Sequence, residues 1–166
     1  MVFPLKALPE TDLFTLTYEI HPWDEGLHVC VELRGDYSSV DFAGSSTSEL
    51  WRGTCVELFY KENESRSYTE LNISPDGRNT VMEFSEYRKV RVSSSDILQT
   101  NVSVQKTEGV ATIEILIKGF FVDNKSIALA VITANSEGTR RFWGIDHWGL
   151  TPDFHRSENF FMLKNS

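Results

Sequence analysis

Apolar and polar residues alternate with a period of two along almost the whole chain, and the spacing of an amphipathic helix is almost nowhere present. Phe14, Leu16, Tyr18 and Ile20 alternate with Thr15, Thr17 and Glu19. Successive side chains of a strand point to opposite faces, so such a run buries one face and wets the other. The same pattern recurs at Leu27, Val29, Val31 and Leu33; at Val56, Leu58 and Tyr60; at Val81 with residues 84–87; at Val102 and Val104; and at Ile113, Ile115 and Ile117. Residues 127–134 are apolar at both parities, which predicts a central strand covered on both faces.

Turn signals separate these runs: Pro22 to Gly26, residues 41–48, Ser74-Pro75-Asp76-Gly77, Asp123-Asn124 and Ser136-Glu137-Gly138. Thr107-Glu108-Gly109 between two alternating runs reads as a tight hairpin, with glycine supplying a positive φ. About nine or ten strands without room for long helices predict an all-β fold, an antiparallel β-sandwich. We read residues 1–166 as one domain, with residues 43–48 (AGSSTS) as a mobile loop.

A net charge of −8, from 16 basic and 24 acidic residues, disfavours nucleic acid or an anionic membrane as partner. The two basic clusters, residues 88–91 (RKVR) and Arg140-Arg141, read as solvated strand ends. No segment has the apolar length of a membrane-spanning helix or of a signal-peptide core, so a cytoplasmic location is expected. In that compartment Cys30 and Cys55 would be free thiols, although two mid-strand cysteines could be neighbours across paired strands. No motif sets an oligomeric state.

Chemistry concentrates in three blocks: residues 50–60 (LWRGTCVELFY), 68–77 (YTELNISPDG) and 152–161 (PDFHRSENFF). Trp51 precedes a strand on which Glu57 faces the same way as Cys55 and Phe59. An aromatic plate beside a fixed acceptor suits a sugar, whose ring has an apolar C–H face and a rim of hydroxyls. The other reading is that Trp51 caps the sandwich while Glu57 pairs with an arginine across the sheet.

The order of these blocks resembles the DOMON-like domains grouped with the family-9 carbohydrate-binding modules, from about Phe14 to the C-terminus. The resemblance implies an antiparallel sandwich of jelly-roll or immunoglobulin-like type. It also maps the Trp-before-Glu pattern of the sugar-binding modules onto Trp51 and Glu57. Those modules hold the ring between two aromatic residues from separate segments, which points to Trp148 as the second plate and leaves Trp143 to the core. Where they carry a basic donor two residues before an Asn, this chain has Glu70 before Asn72. Two carboxylates on neighbouring strands repel unless a cation or a shared proton intervenes. Similar proteins of this group also end in a Pro-Asp-Phe-His run preceded by a loop histidine, matched here by Pro152-Asp153-Phe154-His155 and His147. Those residues read either as a structural turn and plug, or as a His147, Asp153 and His155 cluster that holds a ligand or a divalent metal.

No nucleophile elbow, phosphate-cradling glycine loop, Cys-x-x-Cys pair or His-Glu-x-x-His motif is present. Only Glu57 with Glu70 could act as a glycosidase pair, so a non-catalytic role ranks first. The leading expectation is a carbohydrate-binding module using Trp51, Trp148, Glu57 and a nearby arginine such as Arg52 or Arg78. The runner-up is a haem or other redox-cofactor site, since some DOMON domains bind b-type haem, with Met82, His28, His147 and Met162 as possible axial ligands. A third is a protein-interaction module without a small ligand.

Overall fold

The computed structural model describes residues 2–95, 98–121, 125–147 and 149–162. The described strands are β1 (Val2–Leu8), β2 (Phe14–Trp23), β3 (Gly26–Gly35), β4 (Cys55–Glu62), β5 (Tyr68–Ile73) and β6 (Asn79–Glu86), followed by β7 (Lys89–Ser95), β8 (Thr100–Thr107), β9 (Val110–Lys118), β10 (Lys125–Ala134), β11 (Arg140–Gly144) and the short β12 (Phe161–Met162). Every pairing among them is antiparallel. One layer runs β1-β2-β3-β9-β8 and the other β7-β6-β5-β4-β10-β11. The first half of β1 pairs with β2 and its second half with β11, so one strand stitches the two layers together.

The count exceeds nine or ten because β1 and β12 lack a sustained alternation and β7 is exposed along nearly its whole length. A strand held by its edge hydrogen bonds alone leaves no hydrophobic signature. The hairpin between β8 and β9 forms as expected, with Thr107 opposite Val110 and Gly109 at φ 72°.

The inward alternation builds one core. Leu16, Tyr18, Val29, Val31, Ile113 and Ile115 of the first layer pack on Val56, Leu58, Leu71, Ile73, Leu129 and Val131 of the second. Trp143 joins them, and its indole N–H donates to Thr133 Oγ1 at 2.9 Å, so the one polar atom of the ring is satisfied. The strand β10 is covered on both sides. Ile127, Leu129 and Val131 face the interior, while Ala128 and Ala130 face outward beneath a layer containing Phe59 and Phe154.

Three expectations are corrected here. Cys30 lies on β3, paired with β2 and β9, whereas Cys55 lies on β4 in the other layer, so the two are not cross-strand neighbours. Both are free thiols. The loop at residues 41–48 is tied down: Asp41 N–H donates to the Ala134 carbonyl at 2.7 Å, and the Arg78 guanidinium donates to the carbonyls of Ser45 and Thr47. Arg78 is thereby a loop brace, which also holds Asp76 at 2.8 Å. It takes no part in the cleft described below, and nor does Arg52, whose guanidinium pairs with Glu49.

Candidate functional site: an outward cleft with two buried carboxylates

The alternation that sends Val56 and Leu58 inward sends Cys55, Glu57 and Phe59 outward, and the neighbouring β5 presents Tyr68, Glu70 and Asn72 on the same face. Glu57 lies opposite Asn72 and Ala130, and Glu70 opposite Phe59 and Met82, so the carboxylates are diagonal neighbours. Ala128 and Ala130 leave a trough beside them, because methyl groups rise little above the sheet. Trp51, Arg140 and Phe142 stand on one side of this cleft of about 350 Å³; Phe84, Arg88, Phe154 and His155 line the rest.

Local sequence explains each wall. Leu50 is buried against Cys55 and Ile132, which anchors the 3-10 turn Leu50–Arg52 and leaves Trp51 half-buried at the rim, against Phe142. The Trp51 carbonyl accepts from Arg140 Nη1 at 3.0 Å, and that guanidinium lies 5.3 Å from the Phe142 ring centre. Phe154 packs close over Gly144: a Cβ there would meet the ring at 2.8 Å, so only glycine admits this approach.

Glu57 is 5 % exposed and Glu70 4 %. Asn72 Nδ2 donates to Glu70 Oε1 at 2.7 Å, but Glu70 Oε2 has no hydrogen-bond partner. Among the described residues no hydrogen bond reaches the Glu57 carboxylate. Burial raises both carboxyls, Glu70 to about 7 and Glu57 well above the usual range, and the Glu70 charge lifts Glu57 further. The Arg88 charge works against both shifts, and Arg140 acts against that of Glu57. At neutral pH the pair therefore retains a proton.

A second network closes the cleft. Arg88 N–H donates to Tyr68 Oη at 3.0 Å, which leaves the phenol proton to be donated to His155 Nδ1 at 2.7 Å. The Nε2–H of the ring then faces Glu70 Oε2, 3.7 Å away. Burial, reinforced by the Arg88 charge, brings His155 down to about 4, so it is neutral at physiological pH. Asp153 accepts from Tyr87 Oη at 2.5 Å and from Arg88 Nη2 at 3.0 Å, fixing the arginine at the rim.

Of the residues singled out from sequence, the fold gathers Trp51, Glu57, Glu70 and His155 around one cleft and places Asp153 behind Arg88. Trp148 lies outside the described residues. His147 packs beside the Phe154 ring, does not line the cleft, and binds the Lys6 carbonyl through Nε2 at 2.9 Å. The supposed His147, Asp153 and His155 cluster is thus dispersed, and among the described residues no group of three His, Cys, Asp or Glu side chains could hold a metal. The four axial-ligand candidates for haem also diverge. Met82 lines the cleft, His28 faces away from the core beside Glu114, His147 is bonded to Lys6, and Met162 is 54 % exposed. Arg88 and Arg140 read from sequence as solvated strand ends, because nothing local reveals that a hairpin turn and a strand start converge on the same cleft.

No family model and no curated protein matches the sequence. Solved structures match the fold. A candidate carbohydrate-binding protein from Bacteroides uniformis superposes with a TM-score of 0.67 at 14% identity, over 96% of this chain and 84% of that one. A family-9 carbohydrate-binding module from Caldicellulosiruptor kristjanssonii in complex with glucose gives a TM-score of 0.53 at 14% identity, covering 87% and 73% of the two chains. Its complex with cellotriose gives 0.52 at 14% identity, covering 87% and 72%. The likeness is one of fold. It matches the family-9 side of the sequence resemblance and the all-β sandwich expected from the alternation.

Proposed function

We propose that the outward cleft binds a carbohydrate without chemical turnover, with a sugar ring against Trp51 and its hydroxyls shared between the carboxylates and the arginines. The observation that carries this reading is the orphaned Glu70 Oε2, buried yet bordering an open cleft. A buried polar atom without a hydrogen-bond partner is costly, and a ligand hydroxyl, which can donate or accept, supplies the missing partner. Sugar hydroxyls both donate and accept, so they suit a floor of Glu57 and Glu70 flanked by Arg88 and Arg140. The glucose and cellotriose complexes of one fold neighbour support the choice of ligand class. Two thiols in separate layers, unable to bridge, fit the reducing cytoplasm, which is the location we propose.

Titration with glucose, cello-oligosaccharides and a broad glycan panel, followed by tryptophan fluorescence and calorimetry, tests the reading. Trp51→Ala should abolish binding at a stability cost of about 1–2 kcal/mol, below the roughly 3–5 kcal/mol of a fully buried plug. Glu57→Ala should weaken binding at least about tenfold, because it removes a hydrogen-bonding group from the cleft floor. A flat response across the panel would overturn the proposal and favour the protein-interaction reading, for which β7 exposes Val90 and Val92 at a sheet edge.

A further inference from the structure

Beyond His155 the outer face opens into a second hollow of about 400 Å³. His155 lines both spaces, and Tyr68 of the hollow stands two residues from Glu70 of the cleft along β5, an offset of about 7 Å. That offset is comparable with one glycosyl unit. The two spaces differ in how their charges are matched. In the cleft Arg88 and Arg140 stand beside Glu57 and Glu70, whereas Lys61 and Arg66 line the hollow, and among the described residues neither of these two cations pairs with a carboxylate. Glu86, the one acidic lining residue, is held by Lys89 at 3.1 Å. Unpaired cations grouped in a chain of net charge −8 are against the expectation for a surface with so many acidic groups to spare.

The hollow also has ring-sized apolar surfaces. Lys61 Nζ sits 5.0 Å from the Phe160 ring centre, and Tyr87, 56 % exposed, has its hydroxyl fixed on Asp153. Serine hydroxyls from Ser65 and Ser157 complete the lining. We propose that this hollow, built on Lys61, Arg66, Tyr87 and Phe160, is a second subsite that takes an anionic substituent, making the ligand an acidic oligosaccharide. The sugar unit in the hollow carries a carboxylate or a sulfate ester, and the adjoining neutral unit occupies the cleft. The proposal rests on the carbohydrate reading of the cleft. The anionic unit is placed in the hollow because Lys61 and Arg66 have no carboxylate partner there, whereas Arg88 and Arg140 share the cleft with Glu57 and Glu70.

The test is calorimetry and glycan-array binding with the full chain, using neutral, uronate-bearing and sulfated oligosaccharides of matched length. Acidic members should bind about tenfold more tightly than neutral ones at low salt, and the preference should shrink at high salt. The double substitution Lys61→Gln with Arg66→Gln should remove that preference while keeping the melting temperature. Tighter binding of the uronate or of the sulfated arm identifies the anion. Equal binding of neutral and acidic glycans, still lost in Trp51→Ala, would overturn the acidic subsite and leave the cleft reading standing. An acidic preference that persists in the double variant would also overturn it. Absence of binding to every glycan would overturn both.

Discussion

Replacing Glu70 by glutamine should leave stability unchanged near pH 4.5 and raise it near neutrality. Burial lifts the Glu70 carboxyl from 4.5 to about 7, against the opposing pull of Asn72 and Arg88. In the unfolded chain the group keeps its ordinary value, so between these two limits the folded protein holds a proton that the unfolded chain has released. The Glu70 contribution is therefore fully present below about pH 4.5 and is lost as pH rises through about 7. At ~1.4 kcal/mol per pH unit the loss amounts to about 3 kcal/mol by about pH 8. Glutamine has the shape of the protonated carboxyl but cannot ionise, so the variant escapes the loss. His155 acts with the opposite slope, because its lowered value makes stability fall as pH drops from 6.5 through about 4. The two slopes offset each other between about pH 4.5 and 6.5, and the variant removes the Glu70 share while Glu57 and His155 keep theirs. Urea denaturation of both proteins from about pH 4.5 to 8 measures the difference directly. A difference independent of pH, or a variant less stable at about pH 8, would refute the buried, proton-holding carboxyl. The same substitution should weaken sugar binding, since stability gained where affinity is lost is the mark of a group retained for a ligand.

Trp143→Phe should cost about 2–4 kcal/mol in urea denaturation, from lost core volume and the lost donor to Thr133, with sugar affinity unchanged because the ring faces the interior. Reducing agent should leave the melting temperature unchanged, and thiol titration should find Cys30 reactive in the folded protein and the fully buried Cys55 reactive only after denaturation. A bridged pair in denaturant would contradict the placement of these residues in different layers.

Periodicity recorded the strands whose two sides meet different surroundings. Leu27, Val29, Val31 and Leu33 alternate because one side of β3 meets the core and the other meets water, and residues 127–134 do not because both sides of β10 are covered. Strands such as β7, exposed along nearly its whole length, carried no such record and were overlooked. Trp51 and Glu57 were legible as a pair because six residues of turn and strand fix their relation within one segment. Arg78 looked equally suited to the cleft, yet the turn after β5 aims it at the Ser45 and Thr47 carbonyls. Arg88 and Arg140 looked like solvated strand ends, yet β6 and β11 bring both to the cleft.

What the sequence determined by itself is which face of each strand is apolar, because alternation depends only on residues two positions apart. The membership of the cleft was decided by the tertiary structure. Glu57, Glu70, Arg88, Arg140 and His155 come from separate strands and loops. Their meeting depends on the order in which β6, β5, β4, β10 and β11 pair and on how the C-terminal segment folds back over them. Strand order is set by backbone hydrogen bonds and by burial of whole faces summed over the domain, and no window of neighbouring residues contains that information.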